Sequence, residues 1–414
     1  MIQAEDISVS QQIIAQEKKY GAHNYSPLPV VLAKGEGVHV WDVEGKHYYD
    51  FLSAYSAVNQ GHCHPKIIAA LIEQSQKITL TSRAFYNDSL GKAEEYVCRY
   101  FGYDKSLFMN SGAEAVETAI KLVRKWGYLK KGIADDHAVI LVVSQNFHGR
   151  TTGIISFSSD PESTTGFGPM MPGYQSVAFN DLEALEQALA SNLNICGFLV
   201  EPIQGEAGVM VPDEGYLKKA HELCKKHRVM LIADEIQTGI GRTGKLLASD
   251  YDGVKADILI LGKALSGGVL PVSVVLSSDE IMLCIKAGEH GSTFGGNPLA
   301  AVVSIAALEV IENEKLTDNA LKMGKMFRER MLLLQEKRPD LIQAVRGRGL
   351  LNAIQIFPVN VNGSAGEVCL ELMKKGLLCK PTHKHTIRFS PPLVINEAQI
   401  NECCDIIEEV ILNF

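Results

Sequence analysis

Two ionisable residues stand just beyond apolar runs in the middle of this chain. Asp234 ends the run Val229-Met-Leu-Ile-Ala-Asp234, and Lys263 follows Asp257–Leu261 and a glycine. Each alone has an ordinary explanation. An acid at a strand end can cap a turn, and a lysine among small residues usually faces solvent. If the two runs are consecutive parallel strands, however, acid and amine reach one edge of the sheet, where open α/β sheets bind ligands. That pairing suits pyridoxal phosphate. A lysine holds the cofactor as a Schiff base, and an acid facing the pyridine nitrogen keeps it protonated, so the ring can accept electrons. Desolvation lowers the amine's pKa, and the displaced amine can then shuttle a proton. The glycines around Lys263 allow close backbone approach.

A phosphate needs its own seat. Asn110-Ser111-Gly112-Ala113-Glu114 precedes the clearest amphipathic helix, and Ser111 and Glu114 have capping-box spacing. Small residues there leave the first helical N–H groups open to an anion, which the helix dipole favours. Most capping boxes bind nothing, so this stretch gains meaning only beside Asp234 and Lys263. A rival lies at Gly239-Ile-Gly241-Arg-Thr-Gly244, which matches the dinucleotide pattern GxGxxG. Its setting is wrong. Four residues separate Asp234 from the first glycine, and no long apolar helix follows Gly244.

The elements that must position these residues read as an α/β domain. Continuous apolar runs at Ala138–Val143, Cys196–Val200, Val229–Ala233, Ile258–Leu261 and Val272–Leu276 have the look of strands covered on both faces. Helical patterns at Ala113–Trp126, Leu182–Leu189 and Tyr216–His227 alternate with them, which predicts a mainly parallel central sheet. The ends differ. A short helix, turns and a strand near Val38–Trp41 come before residue 60. After about 310 come a long helix, a strand at Leu350–Ile356, a helix near Ala365–Lys375, a strand at Thr386–Phe389 and a last helix opened by Asn396 and Gln399. Residues 1–60 and 311–414 are expected to form one smaller α+β domain beside a large domain at 61–310.

Composition excludes several functions. The chain has 414 residues, 46% hydrophobic and 21% charged, with a net charge of −8. That balance is globular and offers no basic stripe for nucleic acid. No run approaches the roughly 20 apolar residues of a membrane helix. Nine scattered cysteines without a CxxC pair suit a reducing compartment. The acidic start, MIQAEDISVS, has neither a secretory apolar run nor a basic transit pattern. A cytoplasmic protein is expected. His62-Cys63-His64 and Cys379 with His383 and His385 lack recognised metal-ligand spacing, so no metal is expected.

The motifs together resemble the class III, fold-type I aminotransferases. The matching stretches are Asn110–Glu114, Asn146-Phe-His-Gly-Arg150, Glu201-Pro-Ile-Gln-Gly205, Asp234-Glu-Ile-Gln237, Gly262-Lys263-Ala264 and Gly291-Ser-Thr-Phe-Gly-Gly-Asn-Pro298, in order along most of the chain. His23–Val30, Leu80–Tyr86 and Val345–Leu351 bring it closest to the members that act on ornithine. The resemblance implies pyridoxal 5'-phosphate as cofactor, L-ornithine and 2-oxoglutarate as substrates, and a homodimer. By the same resemblance Lys263 is the Schiff-base lysine and Asp234 faces the ring nitrogen. Ser111, Gly112 and Ala113 hold the phosphate, Phe147 stacks on the ring, Gln237 bonds its phenolic oxygen, and Thr293 reaches the neighbouring subunit's phosphate. Arg150 with Tyr25 takes the ornithine α-carboxylate end, Arg388 takes the oxo-acid carboxylate, Glu206 masks Arg388 in turn, and Tyr55 lines the pocket. His148 and Phe294 depart from residues frequent in relatives. Acetylornithine or 4-aminobutyrate transamination, an aminomutase and a non-catalytic scaffold remain the competing readings.

Overall fold

The structure is a computed structural model and describes residues 8–357 and 364–414. The reading of the N-terminus falls largely on residues 1–7, which lie outside the described residues.

A seven-stranded sheet forms the centre. Its strands lie in the order Lys105–Met109, Ser273–Ser277, Ile258–Leu261, Met230–Asp234, Ile195–Val200, Val139–Val143 and Tyr174–Val177. The last five are mutually parallel. Ser273–Ser277 runs antiparallel to both of its neighbours. An apolar run records burial on both faces, not direction, so the sequence could not show this reversal. Ala233 pairs with Leu259 and Asp234 with Ile260, which sets the ends of the two central strands side by side.

The helix Gly112–Trp126 packs on this sheet. Its buried face carries Ala115, Val116, Ala119, Ile120, Val123 and Trp126, which join Ile140, Val142, Leu199 and Ile232 in one apolar cluster. Each fully buried valine or isoleucine there contributes about 1.5–3 kcal/mol. That packing fixes the helix start against the sheet, a requirement for any ligand held at its first turn.

The chain ends meet. His47–Asp50 belongs to a small antiparallel sheet and also pairs in parallel with Leu377–Leu378. A second small sheet holds Ile342–Arg348, Leu351–Ile356, Thr386–Phe389 and Lys380–Thr382. The last helix, Glu397–Asn413, starts at a complete capping box of Asn396 and Gln399. One continuous core, including Phe51, Phe198, Phe327 and Phe389, links these elements to the central sheet.

The Gly239–Gly244 loop has a packing role. Arg242 is fully buried, and its guanidinium donates to Asn59 Oδ1, Leu350 O and Pro391 O. With carbonyl partners and no carboxylate among them, burial pushes its pKa down to about 9. A side chain on Gly349 would fall 2.2 Å from the Thr243 carbonyl carbon. The glycines therefore let residues 242–244 and the 348–350 segment touch backbone to backbone. The element that follows is only the short 3-10 turn Ala248–Tyr251, whose first amides donate to the Glu235 carboxylate, so none is left for a pyrophosphate.

Candidate active site

At the carboxyl ends of the central strands a cavity of about 200 Å³ is lined by Gly112, Ala113, Phe147, His148, Gly149, Glu201, Asp234, Ile236, Gln237, Thr238 and Lys263. Lys263 begins a short 3-10 turn directly after Ile258–Leu261 and Gly262, at φ +43°. Burial lowers its amine pKa, although Glu206 and Asp234 pull the other way. An amine so placed is more readily neutral, as a nucleophile must be. Ser111 completes the capping box, accepting from the Glu114 amide, while Glu114 accepts from the amides of Ser111 and Asn110. Among the described residues, this leaves the amides of Gly112 and Ala113 without an acceptor. A side chain on Gly112 would meet Ile236 at 2.9 Å, so the close seat depends on glycine. Two open amides at a helix start, a buried amine and a buried acid fit the phosphate, aldehyde and pyridine nitrogen of pyridoxal phosphate.

The wall behind Asp234 holds two further ionisable groups. His148 Nδ1 lies 2.7 Å from Asp234 Oδ2, with both side chains almost wholly buried. Burial alone would lower the imidazole pKa, but the Asp234 carboxylate raises it overall. Glu201 accepts from the amides of Phe147 at 3.0 Å and Gly205 at 3.4 Å. Burial raises its carboxyl to about 7, against the pull of His148. Glu201 thus ties the backbone of the expected ring-stacking residue to the turn that leads to Glu206.

The other end of the site is built from three distant segments. Arg388, on Thr386–Phe389, donates from Nη1 to Glu206 Oε1 at 2.6 Å. Burial alone would raise the Glu206 carboxyl, but Arg388, with help from Lys263 and Gln237, holds it below the usual range. Among the described residues Arg388 Nε is buried without a partner, which leaves donor capacity on that guanidinium. Gln237 Nε2 reaches Glu206 Oε1 at 3.4 Å and the Tyr55 carbonyl at 3.5 Å. A side chain on Gly205 would overlap Gln237 Oε1, so only glycine lets the amide lie there. The Tyr55 ring lies 5.1 Å from the Arg388 guanidinium carbon.

Tyr55 sits in an unusual backbone. Ser53, Ala54, Tyr55 and Ser56 all have positive φ, from 46° to 74°. A left-handed turn costs L-residues roughly 1–2 kcal/mol each, so local contacts must hold it. Asp50 Oδ1 accepts from the amides of Leu52 and Ser53 at 2.8 and 2.9 Å. The Ser53 hydroxyl donates to the Ser390 carbonyl at 2.6 Å.

The structure therefore brings Lys263, Asp234, Phe147, Gln237, Gly112 and Ala113 around one cavity, with Glu206, Arg388 and Tyr55 at its edge. Other expected residues stand apart from it. Ser111 is exposed and committed to its cap. Arg150 is exposed, donates to Ser163 Oγ, and stacks 5.5 Å from the Phe147 ring centre. Tyr25 is 72% exposed, with Lys380 Nζ over its ring. Among the described residues no hydrogen bond or ring contact joins Tyr25 to Arg150. Thr293 is exposed and outside the cavity lining. Sequence reading missed Glu201 as an ionisable group, the His148–Asp234 bond and the left-handed turn. Glu201 stood in a quoted motif, so its burial after an apolar strand was the available signal. Nothing local announces four left-handed residues in Ser-Ala-Tyr-Ser. Cys379 Sγ lies 3.6 Å from Cys369 Sγ, and His62 and His64 pair with Asp50 and Glu314. Among the described residues no three His, Cys, Asp or Glu side chains group as metal ligands, and no helix is long and apolar enough to cross a membrane.

Comparison with known proteins gives the family and the fold. The family model "Aminotransferase class-III" matches residues 20–411. The mitochondrial ornithine aminotransferase of Drosophila melanogaster is 60% identical over 98% of this chain and 93% of its own length. That of Rattus norvegicus is 57% identical over 98% of this chain and 91% of its own. The crystal structure of ornithine aminotransferase from Toxoplasma gondii superposes with TM-score 0.95 at 45% identity, covering 99% of this chain and 96% of that one. An acetylornithine aminotransferase structure from Elizabethkingia anophelis gives TM-score 0.91 at 59% identity, covering 98% and 99%. One expectation is overturned. The cytoplasmic placement does not stand, because the Drosophila and Rattus relatives are named mitochondrial. Unpaired cysteines separate reducing from oxidising surroundings and cannot resolve the matter further.

Proposed function

The chain belongs to the class-III aminotransferases, and on that premise we propose that it transfers the δ-amino group of L-ornithine to 2-oxoglutarate. The products are glutamate 5-semialdehyde, which cyclises to pyrroline-5-carboxylate, and glutamate. The observation that carries this reading is the pairing of buried Arg388 with half-buried Glu206 at the edge of the Lys263 cavity. A single site that accepts an ω-amine and then an α-oxo acid needs a carboxylate clamp that can be masked. An arginine with a carboxylate partner supplies one.

When bound, pyridoxal phosphate supplies the electron sink for the carbon that loses its proton. The protein does the rest. Gly112 and Ala113 would offer amides to the cofactor phosphate, Asp234 would meet the ring nitrogen, Phe147 would cover the ring and Gln237 would meet the phenolic oxygen. His148 Nδ1, 2.7 Å from Asp234 Oδ2, holds that carboxylate in place. Lys263 would be the attachment amine, and its Nζ would hold and move the proton taken from the amine-bearing carbon. Arg150, whose guanidinium lies over the cavity-lining Phe147 ring, and the exposed Tyr25 would take the ornithine α-carboxylate end while Glu206 occupies Arg388. When the oxo acid enters, Glu206 moves aside and Arg388 takes its α-carboxylate.

The working unit is a homodimer in this reading. Tyr25, Phe85, Tyr86, Phe167 and Phe294 are each more than half exposed, and a partner surface would cover such aromatics. Thr293, beside Phe294, then serves the neighbouring subunit's phosphate. The division into 61–310 and a domain of both ends is supported by the pairing of His47–Asp50 with Leu377–Leu378.

A second reading rests on the 59% identity to the Elizabethkingia acetylornithine aminotransferase. Steady-state rates with L-ornithine, N-acetylornithine and 4-aminobutyrate against 2-oxoglutarate separate the readings. Ornithine is expected to give the highest kcat/KM, with the parallel double-reciprocal lines of a ping-pong reaction. A higher value for N-acetylornithine would replace the first reading with the second.

A further inference from the structure

We infer that Asp50 is a positioning residue for the acceptor carboxylate: it locks the left-handed turn that sets Tyr55 against Arg388. This rests on the reading of Arg388 as the oxo-acid clamp.

Three sets of contacts carry it. Asp50 is buried and spends Oδ1 on the amides of Leu52 and Ser53, the two residues that enter the turn. Its Oδ2 meets His62 Nε2 at 2.7 Å, which orients the carboxylate from behind. The His62 ring has room only because position 35 is glycine, whose absent Cβ would lie 2.9 Å from it. The turn is then stapled to the strand bearing Arg388. Ser53 Oγ donates to Ser390 O, Ser390 Oγ donates to Leu52 O at 3.4 Å, and Ser390 N donates to Phe51 O at 2.8 Å. Ser390 lies two residues from Arg388. The Tyr55 ring and the Arg388 guanidinium are therefore indexed to each other through the backbone, not only through their own contact. The turn also presents the Tyr55 carbonyl to Gln237, so its geometry reaches the residue that touches Glu206. A left-handed run of four L-residues relaxes once its amide anchors are lost.

The test uses the full-length, cofactor-loaded protein and glutarate, a dicarboxylate that cannot react, with binding followed by calorimetry. Asp50→Ala is expected to weaken glutarate on the order of tenfold, since geometry rather than charge is lost. The KM for 2-oxoglutarate should rise in parallel, with a much smaller change for ornithine. Asp50→Asn keeps an oxygen for the two amides and is expected to restore most of the affinity. Should Asp50→Ala fail to fold, Ser53→Ala removes one contact of the staple and is expected to shift the same ratio by roughly threefold. Equal changes in both KM values, or unchanged glutarate binding in the variants that fold, would overturn the inference. Arg388→Lys separates the two levels. If it leaves glutarate binding intact, the reading of Arg388 has failed; if it abolishes binding while the Asp50 variants do nothing, only the role of Asp50 has failed.

Discussion

The two ends of the site are assembled in opposite ways. At the cofactor end, neighbouring parallel strands deliver Asp234 and Lys263 to one edge, and a helix packed on the same sheet offers its first amides. At the acceptor end, residues near 50–56, 206 and 388 come from different parts of the chain. They hold together through a half-buried ion pair, long amide contacts and a strained turn. The first end is a consequence of topology, and the second is a consequence of packing. Substitutions at the cofactor end should therefore remove chemistry for every substrate. Those at the acceptor end should redistribute preference between the two half-reactions.

The largest break in this contrast is Lys263→Ala. Loss of the attachment amine and proton carrier is expected to cut kcat on the order of 10⁴-fold for all donors and acceptors alike. Steady-state assay with each substrate pair checks it, and a substrate-selective loss would contradict a shared chemical role. Next is Arg388→Lys. Without the two-pronged fork, kcat/KM for 2-oxoglutarate is expected to fall by roughly 10²-fold, with ornithine affected far less. Single half-reactions, donor and acceptor separately, measure the difference. Glu206→Gln is expected to act in the opposite direction. It leaves Arg388 unmasked, so ornithine loses about tenfold in kcat/KM while glutamate improves as a donor. Equal losses for both donors would count against the masking role.

These expectations also mark what the sequence could convey. Strand order around Asp234 and Lys263 was legible because apolar runs and helical periods are local signals. The amide seat at Gly112 and Ala113 was legible as a capping box in context. Arg242 was not, since GxGxxG describes tight backbone approach without saying whether a ligand or another segment does the approaching. Here it is residues 348–350. The antiparallel Ser273–Ser277 strand was hidden because its apolar run looks the same in either direction. Asp50 and the turn it holds were invisible for a different reason: Ser390 and His62 act on it from far along the chain or across a sheet.

At the wall that joins the two ends the expected effect is on stability rather than on rate. Burial raises the Glu201 carboxyl from the ordinary glutamate value of 4.5 to about 7. Between those values the folded protein holds a proton that the unfolded chain has released, so this group's contribution to stability falls as pH rises through the window and is flat above it. Glu201→Gln removes that slope. The wild type is expected to lose on the order of 2 kcal/mol more than the variant between pH 5 and pH 8, read by urea unfolding at both. Parallel changes in the two proteins would show that Glu201 is ionised throughout.

One measurement bears most directly on the whole account. The cofactor-loaded protein is mixed with L-ornithine alone, and the cofactor's absorbance is followed through a single turnover. Conversion of the aldehyde form to the amine form, with one glutamate 5-semialdehyde trapped per site and full reversal on adding 2-oxoglutarate, is the predicted result. No conversion with ornithine, or faster conversion with N-acetylornithine or 4-aminobutyrate, would contradict it.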